Sequence, residues 1–312
     1  MHNDLHPNNI HTQHVCPGCG GGKFYDRGKI PGASKFAGID LDEPLEGGNL
    51  LECRDCALNF KSEIREPAFY DALYSRASAK VWESKTIRLD HELVSRALQD
   101  NCKGGDVLDI GCGSGRLLDM LPTAYQRYGI EIGEEARQYA TSKNIKLVGK
   151  SFDDLSYLDM HFDVVVASDL IEHCRDPLKF VINAINILKP NGLLILSTGN
   201  ADAPLWRLSG GRFWYCQIAE HLAYISPRWA EVNANSRYNI VEVKKFIYLN
   251  EGILYKSLHS AALLCFLLLP KIYNWLMAKR RNWQGVKPYH PPLPGLGLTK
   301  DHFILVLRRL EP

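Results

Sequence analysis

Two pairs of cysteines, Cys16-Pro-Gly-Cys19 and Cys53-Arg-Asp-Cys56, carry the first chemistry legible in the chain. Two residues between thiolates let both sulfurs reach one ion while amides in the turn support them, and four such sulfurs suit tetrahedral zinc. A redox CxxC or a chance pairing is the alternative. Zinc is the expectation, and with no open coordination position it would be structural. His11 and His14 lie nearby but are not counted as ligands. Such an ion would let a stretch of ~60 residues with few large apolar side chains fold at all. The opening residues MHNDLHPNNIHTQH lack an apolar leader, and nine cysteines, an odd number, do not suggest a disulfide framework. A reducing cytoplasm is expected.

A second chemistry begins at Asp109-Ile-Gly111-Cys112-Gly113-Ser-Gly115. Val107, Leu108 and Ile110 are β-formers, so this run leaves a buried strand end. The glycines permit backbone angles closed to other residues and let a ligand approach the main chain. Arg116 to Met120 resumes a helical pattern. Strand, glycine turn, helix is how α/β folds hold nucleotide-like ligands. The next strand, Tyr128-Gly-Ile-Glu131, ends in a carboxylate able to accept two ribose hydroxyls, an arrangement that also suits a dinucleotide. Strands are expected at 106–110, 127–132, 145–149, 162–167, 192–198, 239–249 and 302–309, with helices at 134–143 and 176–188 among others. Lys189-Pro-Asn-Gly192 reads as a sharp stop before the fifth strand. This alternation predicts an α/β fold: a Rossmann-like, seven-stranded, mostly parallel sheet with helices on both faces.

The runs VLDIGCGSGRLL, GIEI and FDVVVASDLIEHCRDPLKFVINAINILKPNGLLILST resemble a class I S-adenosylmethionine-dependent methyltransferase, closely from 106 to about 200 and more loosely to 309. The resemblance implies S-adenosylmethionine as cofactor. Asp109 and the backbone of the Gly111, Cys112, Gly113, Gly115 turn would meet its methionine end, Glu131 its ribose, and Ser168 the region beneath the sulfonium. Many members place Gly-Asp after the third strand, with the aspartate on the adenine amino group. This chain has Gly149-Lys150 there, so Phe152 and Asp153 are the expected substitutes, unless Asp153 merely caps a turn.

Methyl transfer to a hydroxyl requires in-line alignment and a base. His221 and His173 are the candidates, with Glu172 either taking part or orienting the loop. A further reading makes Asp169, Glu172 and His173 metal ligands, because DxxEH is similar to the ExxEH segment of quinone-precursor O-methyltransferases. An insertion rich in Trp206, Phe213, Trp214 and Tyr215 precedes His221 and either shapes a pocket or covers the sheet edge. A zinc ribbon ahead of such a domain resembles bacterial proteins associated with polysaccharide modification, which implies O-methylation of a sugar, nucleotide-sugar or glycan precursor. The alternatives are a phenolic or quinone-like acceptor and a non-catalytic cofactor-binding adaptor. The net charge of +2 argues neither for nor against nucleic acid, but residues 1–66 carry no dense basic cluster and an Asn/Asp-Pro-Pro-Tyr motif is absent, so nucleic acid is not an expected partner.

These readings divide the chain into a zinc-ribbon-like domain at 1–66 and a methyltransferase domain at 67–312, with an apolar helical insertion at about 253–283. Pro67 to Arg88 is expected as linker and entry helix, with Phe69, Tyr70, Leu73, Tyr74 and Trp82 packing or one tyrosine covering a ligand. Residues 257–270, SLHSAALLCFLLLP, are too short for a comfortable span. They read as a buried or dimer-forming helix, or as an interfacial one, with Lys279, Arg280, Arg281 and Trp283 placed as at a lipid surface. Peripheral contact with the inner membrane face through 257–283 is therefore one expectation.

Overall fold

A computed structural model of the chain describes residues 10–74, 76, 88–234, 236–248, 252–283 and 297–311, without the side chains of 274, 278 and 280–283. Trp82 lies outside the described residues.

The N-terminal part is antiparallel β: β1 (Ile10–Thr12), β2 (Phe24–Lys29), β3 (Ala33–Phe36), β4 (Ile39–Leu45), β5 (Asn49–Cys53), β6 (Asn59–Lys61) and β7 (Glu63–Arg65). Helices α1 (Pro67–Tyr74) and α2 (Leu89–Asn101) lead into the alternating body. There follow β8 (Gly105–Ile110), α3 (Arg116–Asp119), β9 (Tyr125–Ile130), α4 (Glu134–Ser142), β10 (Lys146–Gly149), β11 (Phe162–Ser168), α5 (Pro177–Asn186) and β12 (Leu188–Gly199). The insertion holds α6 (Pro204–Ser209), β13 (Ala223–Tyr224) and α7 (Pro227–Val232). Strand β14 (Tyr238–Phe246), helices α8 (Ile253–Leu268) and α9 (Pro270–Trp283), and β15 (His302–Arg309) end the chain.

The main sheet has the order β10-β9-β8-β11-β12-β15-β14, with β15 antiparallel to both its neighbours and the other pairs parallel. Strict alternation along the strands supplies two faces, because successive side chains point to opposite sides. Leu108, Val165, Leu194 and Leu305 pack beneath α5 and α7 through Phe180, Val181 and Trp229. Val107, Val164, Val166, Ile195 and Ile304 pack beneath α2, α3 and α4 through Val94, Leu98, Leu117 and Ala140. Strand order reverses between β8 and β11, and that switch point opens the crevice where ligands sit in such sheets.

Two expectations shift. Lys189 to Gly192 does not stand before the fifth strand but interrupts it: β12 starts at Leu188, pairing jumps from Leu188 to Leu193, and Asn191 takes φ 63°. The N-terminal part also reaches past residue 66. Its larger sheet, ordered β13-β6-β5-β2, takes its edge strand from the insertion, with Phe60 opposite Ala223 and Asn59 opposite Tyr224. The insertion aromatics join the same interface. Trp206, Phe213 and Tyr215 pack with Ile30, Leu50 and Tyr224, and Trp206 stacks on Phe213 at 4.6 Å. Gly210 lies so close to β2 that a Cβ would sit 1.9 Å from the Arg27 carbonyl oxygen.

Candidate active site

A cavity of about 1340 Å³ runs along the carboxyl ends of β8, β9 and β11 and on to the insertion. Its first half is built by the glycine turn. Gly111 and Cys112 donate their amides to the Ile130 carbonyl at 2.8 and 3.1 Å, closing the turn onto β9. Glu131 accepts from the Gly113 amide at 2.9 Å and from the Gly133 amide at 2.7 Å. A carboxylate has about four acceptor sites, so these two bonds leave capacity toward the cavity. Asp109 is 3% exposed; burial, with Glu131 nearby and Arg88 opposing, pushes its carboxyl up to about 8.

Ser168 Oγ and Asp169 Oδ1 are buried without a hydrogen-bond partner. Buried polar atoms are seldom left so, and both residues line the cavity. Asp169 stands at φ 47°, with Oδ2 held by Arg88, which also binds Asp90. Phe152 lines the cavity and packs edge-on against Phe180, centroids 6.2 Å apart. Asp153 is exposed at the cavity, whereas the capping role falls to Asp154, which accepts from the Lys150 and Ser151 amides at 2.7 and 3.0 Å. The orphaned oxygens, the open turn and the two carboxylates fit an amino-acid and ribose-bearing cofactor. One residue of the turn keeps the expected part and one does not. The Cys112 side chain packs against Gly129, where a Cβ would meet its sulfur at 2.5 Å, so Cys112 can offer its backbone rather than its thiol. Gly115 does not line the cavity; at φ 75° it begins α3, and a Cβ there would strike Ile145 at 2.1 Å, so it serves helix packing.

The second half of the cavity gathers Tyr74, His173, Tyr215 and His221. The Tyr74 hydroxyl and His173 Nδ1 are 2.8 Å apart, and the His173 and His221 rings meet edge to face at 4.9 Å. His221 Nδ1 lies 3.2 Å from the Tyr215 carbonyl oxygen. A carbonyl only accepts, so Nδ1 carries the proton and Nε2 keeps its lone pair. Burial holds His221 well below the ordinary histidine range, and lowers His173 as well. Glu172, 1% exposed, does not line the cavity. Its carboxylate accepts from the Tyr215 and Thr198 hydroxyls and stands 3.9 Å from His221 Nε2. Glu172 thus faces Tyr215, Thr198 and His221 rather than the cavity. The metal set expected from Asp169, Glu172 and His173 is not assembled, because Asp169 turns to Arg88. Glu172, His173 and His221 are instead the three that bring ligand atoms within 4.8 Å of one another.

The N-terminal part holds this half in place. Lys61, fully buried, donates its ammonium to the Ile218 and Ala219 carbonyls at 2.8 and 3.3 Å, and burial lowers it to about 8. Its amide bonds the Leu222 carbonyl, and the Ala37 amide bonds Glu220. Nothing in the local sequence marks Lys61, Arg88, Thr198 or Tyr215 for these roles; Tyr74 was one of several aromatic candidates.

All four cysteine sulfurs lie within 4.8 Å of one another, with Cys16–Cys56 and Cys19–Cys53 at 3.5 Å. Sulfurs on one tetrahedral zinc stand about 3.8 Å apart for bonds of about 2.3 Å, so these residues fit such an ion. The two knuckles share one geometry: the Gly20 amide bonds the Cys16 carbonyl, the Ala57 amide bonds the Cys53 carbonyl, and Gly20 and Ala57 both have positive φ. The hydrogen bond between Cys16 and Cys56 lowers the Cys16 thiol and raises that of Cys56, as two sulfurs sharing one proton do. His11 and His14 are exposed and outside the cluster.

The methyltransferase domain family model matches residues 82–241, more than half of the 312. A probable S-adenosylmethionine-dependent methyltransferase of Mycolicibacterium smegmatis is 31% identical over 113 residues, covering 35% of this chain and 44% of that protein. A ubiquinone biosynthesis O-methyltransferase of Rickettsia conorii is 31% identical over 154 residues, 45% of this chain and 52% of that one. The chain thus spans about half the length of these relatives, or less. Among solved structures, the N-methyltransferase NodS of Bradyrhizobium japonicum with S-adenosyl-L-homocysteine aligns at 12% identity and a TM-score of 0.46, covering 77% of this chain and 96% of that one.

Proposed function

The chain belongs to the methyltransferase domain family, and from that premise we propose that it transfers the methyl group of S-adenosylmethionine to a hydroxyl of a sugar, nucleotide-sugar or glycan precursor. The observation that carries this reading is one cavity with two chemistries: the Asp109, Gly111, Gly113 and Glu131 cradle at one end, and neutral His221 and His173 at the other. When bound, the cofactor supplies a methyl group on an electrophilic sulfonium. Asp109 would face its ammonium group, Glu131 its ribose hydroxyls, Phe152 and Asp153 its adenine, and Ser168 its methionine portion. His221 Nε2 would take the acceptor hydroxyl proton, and Glu172 at 3.9 Å would steady the resulting imidazolium. Tyr74 would fix the orientation of His173.

A cavity whose lining includes both charged groups, Asp71, Glu220 and Lys179, and aromatic ones, Tyr74 and Trp214, supports a polyhydroxylated acceptor. A phenolic or quinone-like acceptor is the second reading, favoured by the aromatic wall and by relatives named for ubiquinone biosynthesis. Structural Zn²⁺ on Cys16, Cys19, Cys53 and Cys56 completes the proposal. The test is calorimetric titration with S-adenosylhomocysteine, NAD serving as control, followed by methyl transfer to nucleotide sugars and to catechols. Binding of the first alone, with transfer to the sugars, is expected. Transfer to catechols alone would favour the second reading. Cofactor binding without transfer to any acceptor would leave an adaptor, and binding of NAD alone would overturn the reading.

A further inference from the structure

Helix α8 is apolar on its outward face as well as its inward one. A surface helix normally turns its apolar stripe to the core and a polar stripe to water. Here the inward face is set by Leu263 against the Trp206 and Phe213 cluster and by Phe266 beneath the Arg212 guanidinium at 4.9 Å. The outward stripe Leu254, Leu258, Ala261, Leu264, Leu268 steps by three and four residues and is apolar throughout. Leu254 is 76% exposed, Leu264 58% and Leu268 70%. Helix α9 continues the patch with Ile272, Trp275 and Leu276, and Lys279 lies over the Trp275 ring at 4.3 Å. An exposed contiguous apolar patch of this kind marks an interaction site.

We infer that the α8–α9 hairpin docks in the plane of an anionic lipid bilayer. The charge pattern selects that occupant. From Gly252 to Lys300 the chain has no Asp or Glu, while Lys256, Lys271, Lys279, Arg280, Arg281, Lys287 and Lys300 are all basic. Apolar side chains with cations and Trp at their margin are the composition of an interfacial helix on anionic lipid. A span is excluded for the described helices, none of which is long and apolar enough to cross a membrane. The placement is equally specific. Phe246, the last residue of β14, and Gly199, the last of β12, both pair with His302. The hairpin therefore leaves the sheet at its carboxyl edge, beside the cavity. Trp214 and Ile218 line that cavity and pack on the cluster that also seats Leu263.

The test is flotation of the full chain with vesicles of phosphatidylcholine mixed with phosphatidylglycerol, and with phosphatidylcholine alone. Binding to the mixed vesicles should exceed binding to the neutral ones by at least about tenfold and weaken with salt. The double variant Leu258→Glu/Leu264→Glu should lose flotation while keeping its circular dichroism and its affinity for S-adenosylhomocysteine. Absence of flotation in the wild type, or flotation unchanged in the double variant, would overturn the assignment. So would a wild-type dimer that ignores vesicles and becomes monomeric in the variant, which would make a second copy the occupant.

Discussion

Asp109 is a buried carboxyl raised to about 8 beside a second carboxylate, so in the cofactor-free protein at pH 7 it is mostly protonated. An ammonium group arriving beside it favours the ionised form. Binding of S-adenosylhomocysteine at pH 7 should therefore release about one proton, measurable by calorimetry in buffers of different ionisation enthalpy. Asp109→Asn should abolish the release. At the other end of the cavity, His221→Ala should leave that affinity unchanged and slow methyl transfer by ~10²–10⁴-fold. Because burial holds His221 well below 6.5, its base form persists through neutral pH. The acid limb of kcat/KM, set by protonation as pH falls, should lie below 6.5 rather than at it. Glu131 was legible in the sequence because its partners are the local Gly113 and Gly133 amides, and Asp109 because it stands at the strand end just before the glycine turn. The confinement of Glu172 was not, since Tyr215 lies 43 residues away and Thr198 26.

The elements that matter most to the acceptor end are short. Strand β13 has two residues and is held by β6 rather than by its own length, while the Lys61 ammonium holds the Ile218 and Ala219 carbonyls just ahead of it. The Cys16–Cys19 knuckle precedes β2, and the Cys53–Cys56 knuckle makes the turn from β5 into β6. Chelation of the proposed ion should therefore loosen 213–224 while sparing β8 to β12. The expected signature is loss of amide protection in β6 and β13 by hydrogen exchange, retained affinity for S-adenosylhomocysteine, and loss of transfer. The long strands were readable from runs of β-formers set between helical stretches, to within a few residues. Strand β13 was not, because two residues carry no period, and β12 hides a turn sequence inside a strand.

For the whole molecule, the family match at 82–241 ends before the hairpin and begins after the cysteine module. The body within it was legible, because glycine turn, carboxylates and alternation agree at every level. The boundary drawn at residue 66 was less so, since chain order cannot reveal that the module and the insertion share one sheet. A chain lacking residues 1–66 would expose Trp206, Phe213 and Tyr224, which now pack on Ile30 and Leu50. It should melt several degrees lower by differential scanning calorimetry and fail to transfer methyl groups.

The bond from Lys61 to Ile218 joins residues 157 apart in sequence, whereas the glycine turn and Glu131 meet within a single strand–helix–strand unit. Contacts between distant residues carry a loop-closure cost that local ones escape. The acceptor half of the cavity therefore closes a far longer loop of chain than the cofactor cradle does, and carries the larger entropic cost of closure.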